Sequence, residues 1–538
     1  MAQDLTRSAD HAVTRGDLPE RPAAREGSGA VCSVLYREPV PAGAVERTAP
    51  ACFPDLNLDQ VVAAITRGRD EYDLAPIFHT RLADVDAVAY RHEVLRDLEN
   101  EELVDALVSF ASAMQRVRRR LRLATKLRYH YEQRSWLLQA AQDYIDAVIR
   151  LREQLKAWEL RSRGLLAIRA HLGDYTVSRH FTALAADTRD VQDQLATVTY
   201  CVHMSGLTIT VTPYDGQADY SAQVAATFER FERGAVDDHL AYLPDSGGLN
   251  HVEAEILDRV ARLFPTVFAA LDRYSERHAG FLDETLTTFD REIQFYLAYL
   301  AFIAPLRQAG LEFCYPQISD RSKQIVARDT FDLALADKLA SDRTPVVTND
   351  IHLSDPERLI VITGANQGGK TTLARTFGQL HHLAGIGGLV PGREAHLLLC
   401  DQVFTHFTRQ ERLADLRGRL KDDLVRIHEI LERATPRSVV IMNEALSSTT
   451  LTDARRIGTE ILRRIAKLDL LCVYVTFIDE LSSLDDTTVS MVATVDSADP
   501  TIRTFKVERR PADGDAHALA IARKYRLTYE HLTERIGA

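Results

Sequence analysis

The residues most clearly arranged for chemistry form a glycine-rich run that ends in a lysine and a threonine. The run fits the pattern G-x-x-x-x-G-K-[ST] and comprises Gly364, Ala365, Asn366, Gln367, Gly368, Gly369, Lys370 and Thr371, with Thr372 directly after it. In such a run the glycines let backbone N–H groups surround phosphate oxygens, the lysine reaches the β- and γ-phosphates, and the next hydroxyl holds Mg²⁺. We therefore predict a loop that binds a nucleoside triphosphate.

The segments on either side of this run are the elements that such a loop requires. Residues 359–362 are apolar and predict a buried strand, and residues 372–376 begin a helical pattern. A strand–loop–helix order places the phosphates at a helix N-terminus, where the partial charge is positive. The alternative interpretation is an ordinary glycine turn, which the flanking strand and helix disfavour.

A second apolar strand is predicted downstream and ends in polar residues. Residues 438–442 are followed by Asn443 and Glu444. Glu444 is placed to orient or deprotonate an attacking water, and Asn443 stands where an aspartate normally helps to hold Mg²⁺. Because an amide oxygen carries no net charge, we expect weak metal binding by Asn443. Alternatively, Asn443 and Glu444 cap the helix that is predicted to follow them.

Composition and charge limit the class of protein. The net charge of −12 over 538 residues argues against a uniformly basic surface, although a local basic groove is compatible with it. The six cysteines form no C-x-x-C pair, which is typical of reduced thiols, so we expect a cytoplasmic protein. The longest apolar run, 295–306, is too short to span a bilayer, and we expect no membrane association.

Changes in sequence pattern predict a multidomain protein. Residues 1–52 lack a hydrophobic period and are expected to form a disordered or loosely packed leader. Residues 53–340 are mostly helix-forming, with a β-hairpin predicted near 197–213. Residues 341–538 alternate strands and helices, which predicts an α/β domain with a mainly parallel sheet. The predicted strands of this domain are 359–362, 397–400, 438–442 and 471–475.

These motifs resemble those of the MutS family of DNA mismatch-repair ATPases. Residues 363–372 resemble T-G-P-N-M-G-G-K-S-T, and residues 442–450 resemble M-D-E-[IL]-G-R-G-T-S. Shorter similarities lie at 345–350, 388–391 and 401–405, and residues 76–98 resemble the start of the family's core domain. The resemblance covers 345–538 and touches the helical part.

The resemblance implies the fold class, the cofactors and several site residues. It implies a mostly helical core and lever region with a small β-hairpin clamp, followed by an ABC-type α/β P-loop ATPase domain. It also implies that ATP and Mg²⁺ bind, with Thr371 and Asn443 at the metal and Asn349 beside the base. The closing helices over 516–536 would pack across a homodimer, or alternatively within one chain.

The departures from the family pattern fall on residues that act in catalysis. Asn443 replaces an aspartate, Phe477 stands where a histidine would sense the γ-phosphate, and Gly418 stands where a serine would face the partner's nucleotide. Val346 stands where the family has an aromatic residue that would stack on adenine. Each lost hydrogen bond or charge slows hydrolysis more than it weakens binding. We therefore expect ATP binding with slow hydrolysis.

A dense basic run is the candidate surface for DNA. It includes Arg116, Arg119, Arg120 and Lys126, which would contact duplex phosphates without sequence preference. The alternative is a solvated helix face paired with acidic residues. The predicted hairpin contains few cations, so a structural role is equally compatible with its sequence.

Two functions remain open from the sequence. The first is an ATP-switched DNA-binding clamp in mismatch repair or recombination. Residues 1–55 contain no Phe-x-Glu, so we expect no mismatch-reading domain of the family's type. The second is an ATP-binding dimeric scaffold that engages a protein or RNA partner.

Overall fold

A computed structural model describes most of the chain. The described residues are 32–38, 45–206, 208–216, 248–342, 344–408, 419–496, 499, 502–512 and 527–536. Several predictions lie outside them. These concern Gly418, residues 1–31 of the leader, and the 516–526 part of the closing helices.

The first part of the chain is helical, as predicted. Polar side chains cap the first turn of several of its helices, including Asp84, Asn100, Ser162, Ser178, Asn250 and Asp283. The helices are α1 Phe53–Leu56, α2 Leu58–Thr66, α3 Ala75–His79, α4 Val85–Asp97, α5 Glu101–Ala124, α6 His130–Ala157, α7 Arg163–Val177, α8 Arg179–Ala196, α9 His251–Leu263, α10 Pro265–Arg277 and α11 Glu284–Gln308; a 3₁₀ turn covers Asp70–Tyr72. We call this part the helical body.

The predicted hairpin is confirmed within this body. Strand β1 (Tyr200–Ser205) pairs antiparallel with β2 (Thr208–Pro213), from Tyr200 opposite Pro213 to Ser205 opposite Thr208. Gly206 adopts φ 60°, a left-handed conformation that glycine accepts without strain in a tight turn. On one face, Val211 packs against the cluster around α9 and α10.

One part of the predicted leader is well packed, which corrects the expectation for residues 32–38. Val34 and Leu35 are fully buried. The Glu292 carboxylate on α11 accepts hydrogen bonds from the Ser33 hydroxyl at 2.7 Å and the Val34 N–H at 2.8 Å. The Tyr296 hydroxyl donates to the Val34 carbonyl at 2.6 Å. The short apolar run around Val34 supplies core side chains, although the surrounding sequence shows no hydrophobic periodicity.

The second part of the chain holds the sheets. A two-stranded sheet pairs β3 (Phe313–Cys314) with β8 (Val390–Pro391), and a four-stranded sheet has the order β4 (Gln317–Ser319), β9 (Glu394–Leu398), β5 (Ile325–Thr330) and β6 (Asn349–Leu353). The six-stranded sheet has the order β10 (Val403–Phe407), β11 (Val439–Asn443), β12 (Leu471–Val475), β7 (Leu359–Gly364), β13 (Thr488–Val495) and β14 (Arg503–Arg509).

The mainly parallel sheet is confirmed. All neighbours from β10 to β13 are parallel, and β14 is an antiparallel edge strand. One detail was wrong, because the predicted strand at 397–400 does not belong to this sheet, and its residues 397–398 lie in β9 of the four-stranded sheet. The helices of this part are α12 Leu333–Ser341, α13 Lys370–Gly385, α14 Arg419–Arg433, α15 Leu451–Lys467 and α16 Tyr529–Ile536; a 3₁₀ turn covers Asp479–Ser483.

Helix α13 connects the main sheet to the helical body. It packs on the sheet through Leu373 and Phe377 and is buried on nearly all sides. Two of its polar side chains reach distant backbone groups, since Gln379 donates to the Leu56 carbonyl at 2.9 Å and a His382 ring nitrogen lies 2.9 Å from the Phe78 carbonyl oxygen. Burial lowers the pKa of His382 to about 3, so this imidazole is neutral at physiological pH.

Residues 32–538 form one compact unit, in which the helical body and the sheets share a core. The boundary between residues 340 and 341 therefore remains a prediction. Among the residues that the structure describes, no helix is both long and apolar enough to cross a membrane.

Candidate phosphate-binding site

The glycine-rich loop joins the central strand β7 to the N-terminus of α13. Gly364 ends β7 with φ 99°, and a Cβ atom there would lie 2.7 Å from the Ala493 carbonyl oxygen on β13. Gly369 caps α13 with φ 95°. Two positions of the motif thus require glycine for its left-handed backbone, and Gly364 also for the close approach of a neighbouring strand. The loop curls over the N-terminal end of the helix.

The Lys370 side chain points back into this loop. Its Nζ atom donates to the Gly364 carbonyl at 2.7 Å and to Asn366 Oδ1 at 3.1 Å. The residue is only 6% exposed. Burial lowers the pKa of Lys370, and the Glu444 carboxylate partly offsets this effect. The ammonium group is held by neutral oxygens, which anionic phosphate oxygens can replace.

Thr371 and Asn443 meet at the carboxyl edge of the sheet. The Thr371 hydroxyl donates to Asn443 Oδ1 at 2.8 Å. The residues fit a Mg²⁺ site only when phosphate oxygens complete it, because they bring one hydroxyl and one amide oxygen and no charge. Among the residues described, no group of three or more His, Cys, Asp or Glu side chains could hold a metal ion.

Glu444 follows β11 in a constrained backbone conformation. It has φ 52°, and Leu446 has φ 67°, both rare for residues with a side chain. The Glu444 N–H donates to the Val475 carbonyl at 2.9 Å, and the Thr408 hydroxyl donates to the Glu444 carbonyl at 3.1 Å. These bonds hold the conformation and leave the Glu444 carboxylate exposed to solvent.

The alternative interpretation of Asn443 and Glu444 as helix caps was wrong. The next helix, α15, begins at Leu451, and its N-cap is Thr450. The Thr450 hydroxyl accepts a hydrogen bond from the Asp453 N–H at 3.2 Å. The side chains of Asn443 and Glu444 therefore stay at the edge of the sheet, beside the glycine-rich loop.

Two charged residues near the loop were missed by the sequence reasoning. Arg503 Nε on β14 donates to the Asn366 carbonyl at 3.0 Å, and the positive charge of Arg503 adds to the lowering of the Lys370 pKa. The Asp479 carboxylate acts in the opposite direction on Lys370. Neither residue belongs to a recognisable motif, and the sequence analysis predicted no strand at β14.

Three other positions were predicted to lie near the nucleotide, and they differ in exposure and in hydrogen bonding. Both ends of the Asn349 amide are engaged, since Nδ2 donates to the Phe505 carbonyl at 3.2 Å and Oδ1 accepts from the Val507 N–H at 2.7 Å. Val346 is partly buried against the core. Phe477 follows β12 and is 52% exposed, so an apolar ring faces solvent at that position.

The predicted DNA-contacting residues lie at the C-terminal end of α5. Arg116 and Arg119 on the helix and Lys126 just beyond it are exposed and make no ion pair with a residue that the structure describes. Arg120 differs, because its Nε atom lies 3.3 Å from Asp143 Oδ2 and its NH1 group donates to Gln139 at 3.0 Å. Three of the four predicted cations are therefore available to an external anion.

The sheet order and the glycine-rich loop place this part of the chain among α/β proteins with a central, mainly parallel sheet. The family model of MutS domain V matches residues 360–527. The DNA mismatch repair protein MutS of Oleidesulfovibrio alaskensis is 32% identical over 144 residues, which are 26% of this chain and 16% of that relative. Residues 360–527 therefore match MutS domain V, which confirms the resemblance to the MutS family over this region, and the chain spans only a small part of the length of that relative.

The steric requirement at Gly364 can be separated from its backbone preference. Gly310 has φ 88° with no atom near its Cβ position, so Gly310→Ala measures the cost of the left-handed conformation alone, about 1 kcal/mol. We expect Gly364→Ala to lower the free energy of unfolding by a further 1–3 kcal/mol or so, because the methyl group meets the β13 backbone. Urea unfolding of both variants measures the difference, and equal losses would contradict the steric argument.

Proposed function

We propose that this protein binds ATP with Mg²⁺ at the 364–371 loop and that nucleotide state controls a DNA-binding surface on the helical body. The activity would serve DNA mismatch repair or recombination. The observation that carries the proposal is the convergence of Lys370, the Thr371–Asn443 pair and Glu444 around a loop at a helix N-terminus. The similarity to MutS domain V supports the same conclusion.

The site is suited to exchanging internal hydrogen bonds for bonds to phosphate. Lys370 Nζ donates to loop oxygens, including the Gly364 carbonyl at 2.7 Å. Phosphate oxygens would take the place of these acceptors, and the backbone N–H groups of the loop and of the first turn of α13 would add further donors. The Thr371 hydroxyl and the Asn443 amide oxygen would hold Mg²⁺, which supplies positive charge to the phosphates when bound.

Hydrolysis is proposed to be slow. The exposed Glu444 carboxylate can orient a water, but Asn443 contributes no negative charge to the metal site. The apolar ring of Phe477 donates no hydrogen bond to a developing negative charge. The site thus has the groups proposed to bind the triphosphate but lacks some of those that would stabilise the transition state.

The DNA-binding surface is proposed to be Arg116, Arg119 and Lys126, with a smaller contribution from Arg120. Cations that are not paired internally release counterions when they bind phosphates, which gives affinity without sequence preference. The packing of α13 against the helical body offers a physical connection between this surface and the loop.

Self-association is proposed to involve the C-terminal helix. On and beside α16, Tyr529 is 83% exposed and Leu527 is 58% exposed, and such apolar side chains favour burial against a partner. We propose a homodimer that acts in the cytoplasm. Sedimentation measurements with and without ATP address this proposal directly.

Removal of the lysine should weaken nucleotide binding. We expect Lys370→Ala to weaken ATP binding at least about tenfold, because a charge-assisted hydrogen bond contributes about 1.5–3 kcal/mol. Lys338→Ala is the matched control, since Lys338 is an exposed lysine on α12. Isothermal titration with Mg²⁺–ATP gives both affinities. Equal affinity of the wild-type protein and Lys370→Ala would exclude the loop as the binding site.

A carboxylate at position 443 should strengthen metal binding and speed up hydrolysis. We expect wild-type turnover below about 1 s⁻¹. Asn443→Asp should raise it about tenfold or more and lower the Mg²⁺ concentration needed, because the new charge lies beside Thr371. Phosphate release in a Mg²⁺ titration measures both effects. Glu444→Gln in the Asn443→Asp background serves as the control and should remove the gain.

The DNA proposal predicts a salt-dependent loss. Replacing Arg116, Arg119 and Lys126 together with alanine should weaken duplex binding regardless of sequence and reduce the slope of log K against log salt by about 0.9 per lost phosphate contact. Arg120→Ala should have a smaller effect, since Arg120 is paired with Asp143. Filter binding at several salt concentrations tests this. A wild-type protein without duplex affinity at low salt would favour a scaffold for a protein or RNA partner.

A further inference from the structure

The Thr408 hydroxyl contacts two successive backbone carbonyls where β11 ends. Thr408 directly follows β10, and its Oγ1 atom lies 3.3 Å from the Asn443 carbonyl oxygen and 3.1 Å from the Glu444 carbonyl oxygen. The single hydroxyl proton is therefore shared between two acceptors. Thr408 reaches both of them because β10 pairs in parallel with β11, with Phe407 opposite Asn443.

Strand β12 holds the same segment from the other side. The Glu444 N–H donates to the Val475 carbonyl at 2.9 Å. The buried Tyr474 hydroxyl donates to the Ala445 carbonyl at 3.2 Å. Because β11 lies between β10 and β12 in the sheet, the backbone around Glu444 is bonded to both neighbouring strands.

These bonds stabilise a backbone conformation that is unfavourable by itself. Glu444 has φ 52°, in a region that residues with a side chain rarely adopt. A conformation of this kind persists only where the surrounding structure fixes it. The bond from Thr408 is made by a side chain, so a substitution can remove it while the backbone bonds to β12 stay available.

The backbone of Glu444 decides where its carboxylate lies. A change of φ from the left-handed to the right-handed region would swing the Cβ atom and move the carboxylate with it. The carboxylate now lies close enough to the Lys370 ammonium group to raise the pKa of that lysine, which places it on the side of the glycine-rich loop. For a group that orients a reacting water, a displacement of about 1 Å can slow the reaction about a hundredfold.

We propose that Thr408 is a positioning residue for ATP hydrolysis, whose hydroxyl holds the Glu444 backbone so that the carboxylate can orient the attacking water. This inference rests on the proposed function, since it requires ATP in the 364–371 loop. Thr408 acts on the hydrolysis step and not on nucleotide binding, because its bonds go to the end of β11, whereas Lys370 and the loop are proposed to bind the triphosphate.

The test separates the rate of hydrolysis from the affinity for ATP. Single-turnover hydrolysis of labelled ATP gives the rate, and isothermal titration with Mg²⁺–ATP gives the affinity. We expect Thr408→Val, which keeps the shape and lacks the hydroxyl, to lower the rate about tenfold or more and to leave the affinity unchanged within about twofold. Thr408→Ser restores the hydroxyl and should hydrolyse ATP at a rate within about threefold of the wild type.

A second substitution shows whether Thr408 acts through Glu444. In a Glu444→Gln background the carboxylate is gone, so adding Thr408→Val should lower the rate no further. Thr405→Val is the matched control, because Thr405 lies on β10 and its hydroxyl donates to Asp55 at 2.6 Å. It should change neither the rate nor the affinity. Thr408→Ala is a second variant without the hydroxyl, which covers a failure of Thr408→Val to fold and should behave in the same way.

The other outcomes overturn the positioning role. Unchanged hydrolysis in both variants without the hydroxyl would do so, as would an equal fall of rate and affinity. A further loss from Thr408→Val in the Glu444→Gln background would show that the hydroxyl does not act through the carboxylate. A wild-type protein that binds ATP without hydrolysing it would also remove the role, while the proposal of nucleotide binding stands. Failure of the wild-type protein to bind ATP would overturn the proposed function itself, and this inference with it.

Discussion

The buried ammonium group of Lys370 is the interaction on which the rest of the site depends. A charged group on a residue that is only 6% exposed is costly unless oxygens surround it, and here the nearest oxygens belong to the loop itself. Gly364, whose carbonyl accepts from Lys370, has a left-handed backbone and no room for a Cβ atom beside Ala493. The loop conformation and the lysine therefore stabilise each other.

The second constraint is the position of α13. Most soluble helices have one polar face, but this helix is covered by the sheet on one side and by the helical body on the other. Two of its buried polar side chains, Gln379 and His382, contact backbone atoms of the body, the Leu56 and Phe78 carbonyls. Arg81 and Arg91 add bonds from the body to the C-terminal half of α13 and the segment after it, reaching the carbonyls of His381 and Ile386. A displacement of α13 on nucleotide binding would therefore be opposed or transmitted by the helical body.

The residues proposed to bind the nucleotide and those proposed to act in its hydrolysis differ in how well they suit these roles. In the proposed function, Lys370 and the loop would bind the triphosphate, whereas the groups that would stabilise charge during hydrolysis are neutral or apolar at Asn443 and Phe477. The left-handed backbone of Glu444 is the kind of strained conformation found at functional sites, which supports the proposed role of its carboxylate in orienting a water. With the proposed slow hydrolysis, the ATP-bound state of the protein would last longer than that of a fast ATPase.

The sequence by itself determined the elements that local pattern encodes. The loop, its flanking strand and helix, the long helices and the hairpin follow from glycine spacing and hydrophobic period, and these signals do not depend on distant residues. Only the tertiary structure decided which distant segments meet. The packing of Val34 and Leu35 against α11, the use of Asn349 to hold β14, and the placement of Arg503 and Phe505 beside the loop all join residues far apart in the chain. No local period or motif records such contacts, because their energy comes from partners that the chain brings together only when it folds.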